Sequence, residues 1–291
     1  MIRVLGQDKS GFDVISSTRQ DTDLFDIKQT QTLIESTQPD ILIIAAARVG
    51  GIVANNTKRT EFIMENLKIN MNLLEASIPF PKMRIINLGS SCIYPLDAKD
   101  PISEESIMTG KLEPTNSPYA MAKLTAIEIG NSLNSQYGHK VINLMPTNLY
   151  GPNDFYSDTD SHVIPGLIYR MHAAKTSNLM NFDIWGTGSP LREFLYVDDL
   201  ALAIKFIINN DVTDELINIG SGDEITIKNL AIKIKSVVKY EGNLNFDKTK
   251  PDGNPRKLLD SSKINKLGWM STKSLDEGLK ISYKWFLENN N

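Results

Sequence analysis

Short apolar runs alternate with longer segments of helical periodicity through the first half of the chain, and this alternation limits the fold more than any other feature. The apolar runs cover residues 40–47, 84–89 and 140–145, and the helical segments cover residues 61–77 and 119–137. Strands that alternate with helices are typical of a parallel sheet covered on both faces. We therefore predict an α/β fold with a Rossmann-like, doubly wound parallel sheet.

The same pattern predicts where a ligand binds. In open α/β sheets, ligands lie outside the carboxyl ends of the strands. Residues 45–51, 89–95 and 146–152 follow the three predicted strands, so we expect them to meet at one cleft. Beyond residue 152 the sequence becomes irregular and rich in Asn, Asp, Ser, Gly and Pro. We expect a nucleotide-binding domain over residues 1–152 and a smaller, C-terminal substrate-binding lobe over residues 153–291, with segments that return to the sheet.

Composition excludes several classes of partner. The 31 basic and 35 acidic residues are dispersed over 291 positions and give a net charge of −4, so no basic stripe indicates nucleic acid. No apolar run approaches the roughly 18–20 residues of a membrane span, and the start lacks the pattern of a signal peptide. The single cysteine, Cys92, cannot form an intramolecular disulfide. We expect a cytoplasmic enzyme with a small-molecule substrate and no membrane partner.

Tyr119 and Lys123 form the sharpest local motif. Pro118 marks a helix start, and side chains four residues apart share one helix face. A nearby ammonium favours the phenolate and is expected to lower the tyrosine pKa from its usual value of about 10. Tyr119 is then a candidate general acid for a carbonyl that receives hydride. Taken alone, the motif also fits an ordinary surface pair.

A second motif lies about thirty residues upstream. Residues 88–95 close a predicted strand with a cluster of hydroxyl groups and the only thiol. Ser90 is placed to donate a hydrogen bond to the same carbonyl that Tyr119 serves. Serine, tyrosine and lysine in this arrangement resemble the triad of the short-chain dehydrogenase/reductase superfamily, in its extended branch that acts on nucleotide sugars.

Longer motifs resemble the GDP-L-fucose synthase family in order, from about Asp13 to the end. They are Ala45-Ala-Ala-Arg-Val-Gly-Gly-Ile-Val-Ala-Asn-Asn56, Gly89-Ser-Ser-Cys-Ile-Tyr-Pro95, Leu112-Glu-Pro-Thr-Asn-Ser-Pro-Tyr119, Met145-Pro-Thr-Asn-Leu-Tyr-Gly-Pro152, Ser161-His-Val-Ile-Pro165, Trp185-Gly-Thr-Gly-Ser-Pro-Leu-Arg-Glu-Phe-Leu-Tyr-Val-Asp-Asp199, Pro251-Asp-Gly-Asn-Pro-Arg-Lys-Leu-Leu-Asp260 and Trp285-Phe-Leu-Glu-Asn289. The resemblance implies an NADP-dependent homodimer that inverts C3 and C5 of GDP-4-keto-6-deoxy-mannose and then reduces its C4 ketone.

The resemblance also implies an acid/base pair for the inversions. Cys92 and His162 match the family's pair, and a thiolate and an imidazole suit proton removal and return near neutral pH. The competing interpretations are a small buried hydrophobic residue for Cys92 and a loop histidine that bonds backbone groups for His162. His139 and His172 lack such a setting, and we predict no metal site because the spacings form no recognisable ligand set.

Further residues match the family's substrate contacts. Arg170, Arg192 and Lys257 match positions that contact the nucleotide, which carries a diphosphate, and Trp185 offers a flat ring. Asn148 and Val163 would line the sugar end. Each of these charged residues also fits an ordinary solvated surface charge, and Arg192 next to Glu193 fits a surface ion pair.

The cofactor side departs from the family pattern. The resemblance assigns the first helix to residues 1–8 and the second strand with its basic turn to residues 12–19, which leaves about twenty family residues, including the first strand and its glycine-rich turn, without a counterpart. We therefore expect a gap in the sheet and weakened NADPH binding. Arg19 is the candidate for the 2′-phosphate. The remaining predicted cofactor contacts are Ala46, Ala47, Leu88, Tyr119, Lys123, Pro146, Asn148, Leu149 and His162.

Other functions stay open at this stage. One is an epimerase-only or sugar-binding protein that has lost reduction, and another is a reductase of a related GDP-4-keto-dideoxy sugar. A non-catalytic scaffold is a third, although the presence of all the predicted catalytic side chains argues against it.

Overall fold

The computed structural model describes residues 1–6, 11–250 and 252–290. Its central sheet has four parallel strands in the order β1-β2-β3-β7. They are β1 (Ile41–Ile44), β2 (Arg84–Leu88), β3 (Lys140–Pro146) and β7 (Leu216–Ile219). The three apolar runs of the first half therefore form the predicted neighbouring strands, and the α/β doubly wound fold class is confirmed.

Helices cover both faces of this sheet. Successive strand residues point to opposite faces, so Ile85 packs in one apolar cluster and Ile86 in another. The cluster around Ile85 includes α2, α4 and α5, whereas that around Ile86 includes α1, α7 and α9. The helices are α1 (Ile2–Leu5), α2 (Ile27–Thr37), α3 (Ile52–Thr57), α4 (Arg59–Ser77), α5 (Ser117–Tyr137), α6 (Val163–Thr176), α7 (Val197–Asn209), α8 (Ile227–Val238), α9 (Ser262–Leu267) and α10 (Leu275–Asn289). Among these helices, none combines the length and hydrophobicity that a membrane span requires.

The second half of the chain builds two smaller sheets. One has the order β4-β6-β8, and the other pairs β5 with β9 in parallel. Their bounds are β4 (Asn148–Tyr150), β5 (Asn181–Trp185), β6 (Leu191–Tyr196), β8 (Glu224–Thr226) and β9 (Asn243–Asp247). A separate apolar cluster under α6, α8 and α10 stabilises them. Strand β7 comes from this half and returns to the central sheet, while the predicted domain boundary at residue 152 stays a prediction.

The first twenty residues differ in part from expectation. Helix α1 lies within the predicted helical segment, and Leu5 packs in the cluster that contains α7. The predicted strand over residues 12–19 is wrong, because that segment is irregular up to a turn at residues 18–21 that carries Arg19. A strand needs a hydrogen-bonded neighbour, and within the described ranges β1 pairs only with β2. Gln7 and Asp8 of the predicted first helix, and Pro251, lie outside the described residues.

Candidate active site

Helix α5 brings Tyr119 and Lys123 to the end of β2. Pro118 lies in its first turn, as predicted, where a missing N–H costs no hydrogen bond. The Lys123 Nζ donates to the Leu88 carbonyl oxygen at 2.7 Å, which ties the helix to the last residue of the strand. Lys123 is only 2% exposed, and its burial lowers the pKa of the ammonium to about 8. The lysine therefore gives up its proton far more readily than a surface lysine does.

The phenol of Tyr119 behaves differently from the sequence-based expectation. Burial raises its pKa, nearby Cys92 raises it further, and a side-chain hydrogen bond with Ser90 opposes both effects. The net lowering of this pKa that the motif predicts is wrong, because desolvation of the phenol dominates. Tyr119 thus stays protonated at neutral pH, which is the form that a general acid requires.

The loop after β2 presents Ser90 and Cys92 to this tyrosine. Residues Ser91–Ile93 form one turn of 3₁₀-helix, and the Ser90 hydroxyl caps it by accepting from the Cys92 backbone N–H at 3.2 Å. Cys92 is partly exposed, so it is not the fully buried hydrophobic residue of the competing interpretation. Its sulfur lies 3.9 Å from the Nζ of Lys257, a contact that the sequence did not reveal.

His162 lies at the start of α6 on the other half of the chain. Its backbone adopts the extended conformation of a helix cap, but its side chain makes no capping hydrogen bond and is exposed. Val163, the first residue of α6, is 44% exposed. Burial raises the pKa of the nearby Asp154 carboxyl, and the hydrogen bond from the Phe155 N–H and the charge of the His162 imidazole oppose this rise. The His162 imidazole is therefore available to face a ligand. The sequence gave no signal that the Asp154 carboxylate lies near it.

The predicted cofactor residues follow neighbouring strands. Ala46 and Ala47 come after β1, Leu88 ends β2, and Pro146 ends β3. These three strands are adjacent and parallel, so their ends lie along one edge of the sheet. Two further residues, Asn148 and Leu149, begin β4, and the Asn148 amide donates to the Glu193 carbonyl oxygen at 2.8 Å.

A cavity of about 340 Å³ adjoins this edge. Arg19 and Ala47 both line it, although they are far apart in sequence, and Arg48 and Phe155 line it too. Phe62, also in its wall, packs edge-on against the Tyr119 ring with centroids 6.4 Å apart. The cavity therefore extends from the basic turn to Phe62, which contacts Tyr119.

Three of the predicted substrate residues lie on α6, β5 and β6. Arg170 does not extend into solvent, because its guanidinium stacks 5.6 Å from the Phe182 ring centroid and its Nε donates to the Gly166 carbonyl oxygen at 3.3 Å. Trp185 is 59% exposed, and the Lys250 ammonium lies 5.7 Å from its ring centroid. Trp185 is the last residue of β5, and Arg170 on α6 contacts the same strand through Phe182.

Arg192 is partly buried, and none of the described carboxylates lies within ion-pair distance of it. Burial lowers the pKa of its guanidinium, although Asp252 and Asp100 are near enough to raise it. Its Nη1 donates to the Leu191 carbonyl oxygen at 2.7 Å. The alternative of a surface ion pair with Glu193 is wrong. Glu193 is fully buried and accepts from the backbone N–H groups of Gly222 at 2.8 Å and Leu259 at 3.2 Å.

The two remaining histidines have structural surroundings. His139 is buried, and its Nε2 lies 3.3 Å from the Ile78 carbonyl oxygen. The Nδ1 of His172 lies 2.9 Å from the Tyr283 hydroxyl. Within the described part of the chain, no group of three or more His, Cys, Asp or Glu side chains is arranged to hold a metal ion.

Comparison with known proteins places this fold and site in a family. Residues 3–220 match the family described as NAD dependent epimerase/dehydratase, and the chain belongs to that family. Within it, the similar curated proteins include the probable GDP-L-fucose synthase 1 of Oryza sativa subsp. japonica, 47% identical over 95% of this chain and 84% of that protein. The GDP-L-fucose synthase of Escherichia coli (strain K12) is 42% identical over 97% of this chain and 91% of that protein. The predicted resemblance to the GDP-L-fucose synthase family is thereby confirmed.

A solved structure adds the cofactor. The GDP-L-fucose synthetase from Naegleria fowleri bound to NADP is 29% identical and superposes with a TM-score of 0.87, covering 94% of this chain and 84% of that one. The predicted enzyme class, an oxidoreductase and epimerase that uses NADP(H) and a GDP-linked sugar, is the class of these relatives.

Proposed function

We propose that this chain converts GDP-4-keto-6-deoxy-mannose to GDP-L-fucose by epimerisation at C3 and C5 followed by reduction at C4. One observation carries the proposal: Ser90, Cys92, Tyr119 and Lys123 meet at the end of β2, beside the edge where a nucleotide binds in this fold. Burial of the Lys123 ammonium costs free energy, and a non-catalytic scaffold would gain nothing in return. The names of the similar proteins support the same reaction.

Epimerisation needs a base on one face of the sugar and an acid on the other. The C4 ketone acidifies the hydrogens on C3 and C5. The Cys92 thiolate removes such a proton, so the C–H electron pair enters the enolate and an S–H bond forms. His162 then donates a proton to the same carbon from the opposite face. Its exposed imidazole, which makes no capping bond, is available for this transfer.

Reduction uses the other catalytic groups. NADPH, when bound, supplies the hydride for C4. Ser90 and Tyr119 orient the ketone by hydrogen bonds, and the neutral phenol donates the proton that the C4 oxygen takes up. Lys123 stabilises the phenolate that remains, because it lies one helical turn away on the same face of α5. For NADPH binding, the cavity lined by Arg19 and Ala47 offers a cation and a strand-end backbone that fit a phosphorylated ribose.

The GDP part is held by the second lobe. Arg192, desolvated and without an ion-pair partner among the described carboxylates, is suited to bind the diphosphate. The exposed Trp185 ring offers a face to the guanine, and Arg170 lies on the same lobe. Asn148 and Val163 line the sugar end in this arrangement.

The test is a reaction in deuterium oxide with GDP-4-keto-6-deoxy-mannose, with and without NADPH. We expect deuterium at C3 and C5 in both reactions, and loss of reduced-nicotinamide absorbance when NADPH is present. Deuterium uptake without any oxidation of NADPH would favour the epimerase-only alternative. Reduction of a substrate without a 3-hydroxyl in preference to this one would favour the dideoxy-sugar reductase.

We also propose that the enzyme is a homodimer. Helices α4 and α5 pack on each other and still expose Met64, Met71 and Met121, which are 50%, 46% and 45% accessible. Met64 and Met71 lie two turns apart on one helix face, as an apolar contact surface requires. Sedimentation equilibrium tests the assignment.

The cytoplasmic location stays a prediction.

A further inference from the structure

Two segments that lie far apart in sequence meet at the sulfur of Cys92. Lys257 is 165 residues away, yet its Nζ lies 3.9 Å from the sulfur, within hydrogen-bond range for this larger atom. Both side chains are partly exposed, so each remains accessible to water and to small reagents. An ammonium next to a thiol favours the thiolate, which is the nucleophilic and basic form of cysteine.

Buried hydrogen bonds hold these two segments together. Asn218, which is fully buried in β7, accepts from the Tyr94 hydroxyl at 2.6 Å. Its Nδ2 donates to the carbonyl oxygens of Ile102 at 2.9 Å and Asp260 at 3.2 Å. Tyr94 lies two residues after Cys92, and Asp260 lies three residues after Lys257. The side chain of one asparagine therefore bonds both the cysteine loop and the lysine segment.

The segment of Lys257 is fixed a second time. The Leu258 backbone N–H donates to the Asp100 carboxylate at 2.9 Å, and the Leu258 carbonyl oxygen accepts from the Ile102 N–H at 2.8 Å. These bonds leave the Lys257 side chain free to turn towards the sulfur. The backbone next to Lys257 is thus held by bonds that do not involve its ammonium.

The charged and titratable groups around the sulfur come from three parts of the chain. Tyr119 on α5 is near enough for the cysteine to raise the pKa of its phenol. Asp100 and Arg192 lie on the side of Lys257, and Asp100 opposes the lowering of the pKa that burial causes in Arg192. Among the cations of the described residues, Lys257 is the one whose side chain is within hydrogen-bond distance of the sulfur.

We propose that Lys257 holds Cys92 as the thiolate for proton abstraction, and that Tyr94 and Asn218 position this pair. The proposal rests on the function proposed above and changes the role that sequence resemblance gave to Lys257, which was contact with the nucleotide. The proton that leaves the carbon goes to the sulfur and not to Lys257. Its ammonium stabilises the negative sulfur before the C–H bond breaks. The attraction weakens when the S–H bond forms, because the sulfur is then neutral.

Alkylation of the thiol tests the pair without any substrate. Cys92 is the single cysteine of the chain, so the rate of iodoacetamide modification reports on it alone. We expect Lys257→Met to slow alkylation at pH 7 by about fivefold or more and to shift the whole rate profile to higher pH. Lys257→Arg should lie in between. Lys248→Met, an exposed lysine of the preceding loop, should match the unaltered protein.

A second pair of measurements separates the roles. Tyr94→Phe removes the bond to Asn218, and we expect a smaller shift of the alkylation profile in the same direction, which a merely structural loss of thermal stability would not produce. Lys257→Met should slow deuterium uptake at C3 and C5 and change GDP affinity by less than about twofold. Identical alkylation profiles in Lys257→Met and the unaltered protein would overturn the proposal. If the profile shifts as expected but the protein does not act on GDP-4-keto-6-deoxy-mannose, the pair stands and the proposed function fails.

Discussion

The catalytic side and the cofactor side of the cleft are built in different ways. On the catalytic side, Lys123, Tyr94 and Asn218 are at most 3% exposed, and each makes a polar bond to another part of the chain. On the cofactor side, residues 11–26 contain no helix or strand, and Ile15 is 60% exposed. The catalytic groups are therefore fixed by buried contacts, whereas the basic turn that carries Arg19 lies in an irregular and largely exposed segment. This difference implies that turnover and cofactor affinity can be changed separately.

The largest effect is expected at Tyr119. Loss of a positioned general acid typically costs about 10²–10⁴-fold in rate, so Tyr119→Phe should nearly abolish NADPH oxidation. Deuterium uptake at C3 and C5 should persist, since it depends on Cys92 and His162. Tyr137→Phe, at the exposed end of the same helix, serves as the control. Undiminished NADPH oxidation in the Tyr119 variant would remove the tyrosine from the mechanism.

The next largest effect concerns Arg192. A hydrogen bond to a charged group contributes about 1.5–3 kcal/mol, so Arg192→Ala should weaken GDP binding about ten- to hundredfold. NADPH affinity should stay the same. Calorimetric titration with GDP measures the change, and Arg256→Ala is the matched control because Arg256 already pairs with Glu224. Equal GDP affinity in the two variants would place the diphosphate elsewhere.

A pH profile sharpens the assignment of Lys123. Burial lowers the pKa of its ammonium to about 8 from the ordinary value of 10.5, so the folded enzyme loses this charge as pH rises through about 8. Reduction should then fall, by about tenfold at pH 9, because the phenolate of Tyr119 loses its stabilising cation. The unfolded chain keeps the proton up to 10.5, so the free energy of unfolding should rise relative to Lys123→Met between these two values. A Lys123→Met variant that keeps the same alkaline fall in rate would refute the assignment.

The smallest effect tests the cofactor side. Arg19 is exposed in a turn, where a contact with phosphate is weakened by solvent, so Arg19→Ala should lower NADPH affinity by only about fivefold. NADH affinity and the chemical steps should be unchanged. Fluorescence titration with both cofactors, beside Lys28→Ala as the control, gives the comparison. An equal loss for NADH and NADPH would show that the arginine does not contact the 2′-phosphate.

Local patterns predicted much of the fold and part of the site. The apolar runs of β1, β2 and β3 and the Tyr119–Lys123 spacing depend on neighbouring residues, so the sequence shows them directly. The predicted strand over residues 12–19 failed because strand formation depends on a partner strand, which no local pattern reports.

Long-range contacts were not predictable in the same way. The contact between Lys257 and Cys92 joins residues that no periodicity links, and the buried Asn218 reads as an ordinary strand asparagine until its three partners are seen. The pKa of Tyr119 was predicted in the wrong direction because desolvation, which needs the folded structure, outweighs the lysine charge. The roles of the site residues remain predictions that the variants above will decide.

Cys92, which is partly exposed and lies next to the Lys257 ammonium, is open to oxidation. Peroxide attacks the thiolate, and a lone cysteine has no second thiol in its own chain to convert a sulfenic acid into a protective disulfide. Oxidation would therefore run on to the irreversible sulfinic acid. Aged or peroxide-treated enzyme should lose epimerisation first. Tyr119 and Lys123 carry no oxidisable sulfur, so the enzyme should still reduce a 4-keto sugar whose C3 and C5 have already been inverted.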